Sequence, residues 1–236
     1  MTGIKRRLLA LTPLLVLMLL QGCDSDQQSV SQPAVDAVKA TTEQTQPDPL
    51  ATVLAGDHRS PENKARDEYR HPAETLQFFG LRPDSTVVEV WPGAGWYTEV
   101  IAPYVRGQGK FIAAGFDPDS EIDFIRAGVA RYQAKLAERP DLYDQVEMAV
   151  LMPPDKVEFV PAESVDIILT FRSIHNWMPR DMQGVMLGAM YRALKPGGVL
   201  GAVDHRWHDA KTEDPDAENG YVSEERIINA CKSSRV

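Results

Sequence analysis

The 236-residue sequence predicts an α/β domain built on a doubly wound, mostly parallel sheet with helices on both faces. Three observations carry this. From about Ser85 onward, short runs rich in Val, Ile and Leu alternate with longer stretches of helical periodicity. The first such run leads straight into a turn with glycines spaced two apart, "WPGAG", and "KPGG" places proline and glycine where a type II turn wants them, just ahead of the last run. Strands alternating with helices make βαβ units, whose parallel sheet must be covered on both faces.

The elements follow in order. "RSPENKARDEYRHPAETLQFFGL" carries Leu76, Phe79 and Leu81 behind Pro72, a helix from about Pro72 to Gly80. "STVVEV" is a buried strand and "GWYTEVIAPYV" the helix after it, starting near Trp96. "GKFIAAGF" is the second strand, "SEIDFIRAGVARYQAKLAE" a long amphipathic helix, "QVEMAVL" a short third strand and "SVDIILTF" the fourth. "PRDMQGVMLGAMYRAL" reads as one helix, "VLGAVDH" as the fifth strand, and a last helix begins near Ser223, whose hydroxyl suits a cap.

Ahead of the domain, "MTGIKRRLLALTPLLVLMLLQGC" runs from Lys5, Arg6 and Arg7 through an apolar stretch, Leu8 to Leu20, into small residues before Cys23. This is the pattern of an export signal. The stretch is shorter than the roughly 20 residues a spanning helix needs. "LLQGC" resembles the lipobox of bacterial lipoproteins, which makes residues 1–22 the removed signal and Cys23 the lipidated first residue. Asp24 resembles an inner-membrane retention signal, so the expected location is the periplasmic face of the inner membrane, with lipid the only membrane attachment. Residues 23–55 form the expected disordered tether, poor in aromatic and bulky apolar residues, and 56–236 the folded domain. With Cys23 lipidated, Cys231 has no partner for an internal disulfide, and stability must come from the core.

Cleavage removes three positive charges and no negative ones, taking the formal charge from −9 to −12. Such a surface repels nucleic-acid phosphates and anionic headgroups, and the sequence shows no local basic patch, so no nucleic-acid partner is expected.

In an open parallel sheet, ligands sit beyond the carboxyl ends of the strands where strand order reverses, which puts Trp91 to Gly95 at the mouth. Gly93 and Gly95 let the backbone approach a ligand, and Glu89 lies in the strand beneath. Here the chain, over roughly Arg66 to Arg226, resembles class I S-adenosylmethionine-dependent methyltransferases. "EVWPGAG" is similar to their acidic-x-Gly-x-Gly-x-Gly loop, "SVDIILTFRSIHNW" to their fourth strand with its trailing loop, and "LKPGGVLGAVD" to the approach to their fifth. The lead-in "RDEYRHPAETLQFFGLRPDSTVVEV" is similar to an exported subgroup of that family. The resemblance implies S-adenosylmethionine as cofactor, with Gly93 and Gly95 at its methionine end and Glu89 supporting the loop. Trp91 stands where the family has its first glycine, which it fits if φ stays negative and the ring packs under the loop.

Two departures follow. The family's ribose-binding acid at the end of the second strand aligns with Gly115; Asp117, roughly 22 residues after Gly95, is either the substitute or a turn residue before Pro118. After the third strand, where an acid commonly marks the adenine pocket, stand Leu151 and Met152. For chemistry, "SIHNW" offers His175 and Asn176 and "VDHRWH" offers Asp204, His205 and His208 at the same mouth. A methyl transfer needs alignment and, for a protonated nucleophile, a base, which His175 or Asp204 with His205 can supply; the alternative for His175 and Asn176 is a hydrogen-bonded loop cap. The Asp-His-x-x-His spacing matches no strong metal signature, and no metal is expected. Trp96 and Tyr97 read as core in preference to ligand stacking, and Arg66, Asp67, Arg70 and His71 as a solvated helix face or a lid.

No counterpart of the family's closing pair of strands follows the last helix, so the outer edge of the fifth strand is expected to be open, covered by a partner or left so by truncation. The sequence thus supports methylation of a small molecule or envelope component, against a non-catalytic binding module that keeps the fold. An NAD-dependent oxidoreductase is weaker, because Thr98 stands where the last glycine of Gly-x-Gly-x-x-Gly belongs.

Overall fold

A computed structural model describes residues 48–209 and 211–234; the expected export signal, Cys23 and most of the expected tether lie outside them. Four short helices lead in: α1 (Pro49–Ala55), α2 (Pro61–Ala65), α3 (Asp67–Arg70) and α4 (Pro72–Phe78). There follow β1 (Thr86–Val90), α5 (Thr98–Val105), β2 (Lys110–Gly115), α6 (Asp123–Glu138), α7 (Pro140–Tyr143) and β3 (Val146–Val150). The second half holds β4 (Val165–Phe171), α8 (Ile174–Trp177), a 3-10 turn (Met178–Arg180), α9 (Gln183–Ala193), β5 (Leu194–Val203), β6 (His205–Trp207), β7 (Tyr221–Ser223) and α10 (Glu224–Ser233).

Five strands form one parallel sheet in the order β3-β2-β1-β4-β5. Its two faces follow from the period-2 alternation of strand side chains. Val88, Ile112 and Ile168 face α8, α9 and α10, where Trp177, Met186, Met190 and Ile227 meet them. Val87, Phe111, Ile167 and Leu169 face Leu50, Leu76, Val100, Ile101 and Tyr132 from α1, α4, α5 and α6. The expected doubly wound architecture is what forms. Each fully buried Val, Leu or Ile contributes roughly 1.5–3 kcal/mol, so these two layers supply the main favourable energy.

Three boundaries differ from expectation, each for a local reason. The tether ends before residue 55, because Pro49–Ala55 is helical: the Asp48 side chain accepts from Leu50 N at 3.0 Å, Pro49 opens the helix, and Leu50 is 2 % exposed in the core. α5 begins at Thr98, two residues late, because Gly93 and Gly95 are both left-handed and hold the preceding turn out of helical geometry. The helix expected from Pro179 starts only at Gln183, since Asp181 at φ 50° closes the 3-10 turn first. The type II turn at "KPGG" forms, with Gly197 at φ +81°, and it shifts the register between β4 and β5, Val165 pairing with Leu194 and Ile167 with Val199.

Among the described residues β5 pairs with β4 alone, and a groove of about 1010 Å³ runs along its outer edge beside Leu187, Tyr191, Ile227 and Ile228, reaching Asp204. None of the described helices is long and apolar enough to cross a membrane.

Candidate functional site

Strand order reverses at β1 and β4, so the loops after these two strands face one crevice. The loop after β1 departs from expectation at its first residue: Trp91 has φ +52°, left-handed like Gly93 at +60° and Gly95 at +76°. The left-handed shape that glycine would adopt freely is therefore retained with tryptophan in place, at about 1–2 kcal/mol. What holds it there is visible. Trp91 N donates to Ala114 O at 2.9 Å, and the indole Nε1 donates to Leu151 O at 2.9 Å. The ring lies 4.6 Å from Phe116 and edge-on to Trp177 at 5.9 Å. One hydrogen bond at about 1 kcal/mol and two aromatic contacts at about 0.5–1.5 kcal/mol each offset the backbone cost. The indole thus packs across the mouth, from the end of β1 to the residue after β3.

No atom lies within 4 Å of where a Cβ on Gly93 would sit, so this side of the loop is open. Gly95 is the reverse: a Cβ would meet Tyr132 Cε2 at 3.1 Å and the Lys135 methylenes at 3.2 Å. Beneath the loop Glu89 is 3 % exposed. Thr98 gives its single hydroxyl proton to Glu89 Oε2 at 2.7 Å, and so accepts from the Tyr132 hydroxyl at 3.0 Å. Burial pushes Glu89 up to about 8, against the lowering effects of the Thr98 hydrogen bond and of Arg70. At neutral pH the carboxyl is therefore mostly protonated, and a cation brought near it would ionise it.

The nucleoside end of the expected site is engaged by the chain itself. Asp117 accepts from Asp119 N at 3.1 Å, as its turn reading expects, and its other oxygen pairs with Lys156 Nζ at 2.5 Å. The Lys156 hydrogen bond first, then the Asp119 amide, hold its carboxyl below the usual range. The Leu151 carbonyl carries the Trp91 indole.

Across the crevice, the ends of β4 and β5 bring His175 and Asp204 together. His175 Nδ1 lies 3.0 and 3.2 Å from the two Asp204 oxygens, and His175 N donates to Oδ2 at 3.2 Å. Asp204, its side chain 1 % exposed, also accepts from His205 N at 2.9 Å and has Arg172 Nε at 3.7 Å. A carboxylate only accepts, so the ring proton sits on Nδ1 and Nε2 carries the lone pair. The His175 side chain is 15 % exposed, so that nitrogen can reach a ligand. Asn176 is not part of this pair: it is exposed, and its Nδ2 donates to Arg172 O at 3.4 Å. The His205 ring leaves Asp204 and stacks on Tyr221 at 5.0 Å. Partial burial, then Arg172 and His175, push His205 down, with Asp204 opposing. His208 lies beside Trp207, and among the described residues no group of three His, Cys, Asp or Glu side chains could hold a metal.

Of the four lead-in residues expected on a solvated face, Arg66 and His71 are exposed, whereas Asp67 and Arg70 are half-buried and engaged with neighbours. Arg59, its side chain fully buried, makes a two-pronged pair with Asp67 at 2.7 Å for each contact. Asn63 Nδ2 donates to the buried Glu99 at 2.9 Å, and Lys135 pairs with the same carboxylate. Trp96 Nε1 donates to Asn63 O at 3.1 Å, while Tyr97 stacks on Phe171 at 3.5 Å, so both aromatics are core. Arg70 lies over the Trp96 ring at 4.5 Å. The desolvation cost of burying Arg59 and Glu99 is offset by their ion pairs with Asp67 and Lys135. Sequence reading missed this network; the one signal for it is Glu99 inside the otherwise apolar "TEVIAPYV".

Neither a scan against protein-family models nor a search of curated proteins gives a match. Solved structures do match in fold. An S-adenosylmethionine-dependent methyltransferase from Aquifex aeolicus superposes with a TM-score of 0.56 at 21 % identity, covering 80 % of this chain and 88 % of that one. The [4+2]-cyclase SpnF gives 0.53 at 17 %, over 76 % of this chain and 61 % of its own. Geranyl diphosphate C-methyltransferase from Streptomyces coelicolor, solved with S-adenosyl-L-homocysteine, gives 0.52 at 14 %, over 78 % and 68 %. At these identities the likeness establishes the fold, which is that of the methyltransferases, and fold alone does not assign a reaction.

Proposed function

We propose that this chain is an S-adenosylmethionine-dependent methyltransferase acting on a small-molecule or envelope acceptor whose nucleophile carries a proton. The observation that supports it most is the His175–Asp204 pair at the crevice of a methyltransferase fold, facing the same mouth as the glycine loop.

The residues fit the cofactor. The open side of Gly93 admits a methionine end, and Glu89 beneath can meet an ammonium. Trp91 and Phe116 offer aromatic faces to a base, and Asp117 can take ribose hydroxyls once Lys156 swings from it. When bound, the cofactor supplies an electrophilic methyl group. The chain's own part is to exclude water, hold the acceptor in line and take its proton on His175 Nε2, with Asp204 fixing the ring through Nδ1. The Asn176 amide turns to Arg172 O and the His205 ring stacks on Tyr221, so neither side chain is held by the Asp204 carboxylate as the His175 ring is. Anchored at Cys23 and facing the periplasm, such an enzyme would draw on acceptors at the membrane surface.

Calorimetric titration of the full chain in detergent with S-adenosylmethionine and its demethylated product tests the reading. Saturable binding near micromolar, roughly −8 kcal/mol, is expected, with Gly93→Arg abolishing it. His175→Ala and Asp204→Asn should keep that binding while losing turnover on any acceptor found. A folded chain that binds neither compound would instead support a non-catalytic binding module, which the Lys156–Asp117 pair and the Trp91–Leu151 bridge across the mouth favour.

A further inference from the structure

The sequence shows no basic patch, yet the fold assembles one from segments about 100 residues apart. Arg66 and Arg70 lie one helical turn apart, Arg70 N bonding to Arg66 O at 3.0 Å. The Arg70 guanidinium rests on Trp96 at 4.5 Å and stands 6.0 Å from the Tyr97 ring. Tyr97 stacks on Phe171, and the next residue is Arg172, left-handed at φ +58° at the carboxyl end of β4. Arg66 and Arg172 come close enough to Arg70 that, after burial, they are the charges that weaken its hold on its proton.

Like charges held together in this way lack a counterion of their own. Among the described residues Arg66 and Arg70 make no ion pair, and Arg172 has only Asp204 at 3.7 Å. Asp67, the acid nearest in sequence, is committed to Arg59 by both oxygens. Glu89, the acid that acts on Arg70, is buried beneath the loop with its carboxyl pushed up to about 8, and it makes no ion pair with any of the three. All this occurs in a protein of net charge −9. A strained residue at a strand end in the crevice is also where function concentrates.

We propose that Arg66, Arg70 and Arg172 form an anion-binding subsite, and that the acceptor carries a carboxylate or phosphate which they hold beside His175. Guanidinium groups match both anions through paired N–H donors, and Trp96 and Tyr97 fix the orientation of Arg70 without consuming its donors. The word acceptor rests on the methyl-transfer reading; the anion subsite does not.

The test is calorimetric titration of the full chain with inorganic phosphate, and with acetate, at low ionic strength. Saturable phosphate binding is expected, at least tenfold weaker in the Arg66→Gln/Arg70→Gln double variant and in Arg172→Asn, and unchanged in Lys110→Gln at the far end of the sheet. Asn tolerates the left-handed backbone, and Arg66→Gln alone alters an exposed side chain without hydrogen-bond partners, so both remain informative if the double variant does not fold. No saturable binding of either anion, or equal weakening in Lys110→Gln, overturns the subsite. Phosphate binding that persists with S-adenosylhomocysteine saturating supports the acceptor; displacement would assign the arginines to the cofactor's carboxylate and overturn it. If phosphate binds and S-adenosylhomocysteine does not, the subsite stands and the methyl-transfer reading fails.

Discussion

Glu89 makes stability depend on pH in a way its neutral isostere would not. In the unfolded chain its carboxyl titrates near the ordinary value of 4.5, whereas in the native state burial lifts it to about 8. Between those limits the native state holds a proton that the unfolded state has released, so stability falls as pH rises. The slope is about 1.4 kcal/mol for each pH step, and over the interval from 4.5 to about 8 the loss is roughly 5 kcal/mol. It begins at pH 4.5 and is complete a little above 8. Glu89→Gln keeps the shape and an oxygen to accept from Thr98 but has nothing to titrate. Urea unfolding of both proteins at pH 5, 6, 7 and 8 isolates the effect, because all other groups are shared. The difference in unfolding free energy, Gln minus Glu, should climb steadily with pH, by about 3–4 kcal/mol across that range. Parallel pH profiles for the two proteins would refute the argument, showing that Glu89 is ionised in the native state at neutral pH.

Two further changes probe how the mouth is built. Trp91→Gly relieves the left-handed backbone but gives up the Leu151 hydrogen bond and the contacts with Phe116 and Trp177, for a net loss of about 1–2 kcal/mol in urea unfolding; a gain in stability would mean that these contacts contribute less than the backbone conformation costs. Asp67→Ala removes the two-pronged partner of the buried Arg59 guanidinium, leaving it Glu99 at 3.8 Å, and should lower stability by about 1.5–3 kcal/mol, whereas Glu68→Ala, an exposed acid one residue on, should fall within about 0.5 kcal/mol of the parent.

The periodic parts of this fold were legible because hydrophobic spacing is a local property. Every main-sheet strand and the turn at Gly197 could be placed from sequence, as could the core roles of Trp96 and Tyr97. What could not be read depends on pairing at a distance. Arg59 and Asn63 look like solvated polar residues of a short lead-in, and only their partners, Asp67 for Arg59 and Glu99 and Trp96 for Asn63, reveal that Arg59 is buried and Asn63 half-buried. The left-handed conformation of Trp91 is hidden from the sequence for a similar reason. Its side chain argues against a left-handed backbone, and the compensating groups, Ala114, Phe116, Leu151 and Trp177, come from three other segments. The His175–Asp204 pair was partly legible, as two strand ends facing one mouth. Sequence could not decide among the neighbouring Asn176, His205 and His208, because what separates them is orientation.

The same difference between local and distant pattern shapes the electrostatics. A net charge of −9 makes the chain repel an anionic acceptor at long range, while Arg66, Arg70 and Arg172 attract it at contact. The two effects respond differently to salt. At an ionic strength of about 0.01 M the Debye length is near 30 Å, so acids across the domain are felt at the mouth; at about 0.1 M it is near 10 Å, and they are not. Contacts within hydrogen-bond reach are screened far less. Phosphate affinity should therefore hold steady or rise between about 0.01 and 0.1 M salt and weaken only towards 1 M, where chloride competes for the same guanidinium groups. A steep decline from the lowest salt onward would show that the attraction is a diffuse surface effect, with no organised site behind it.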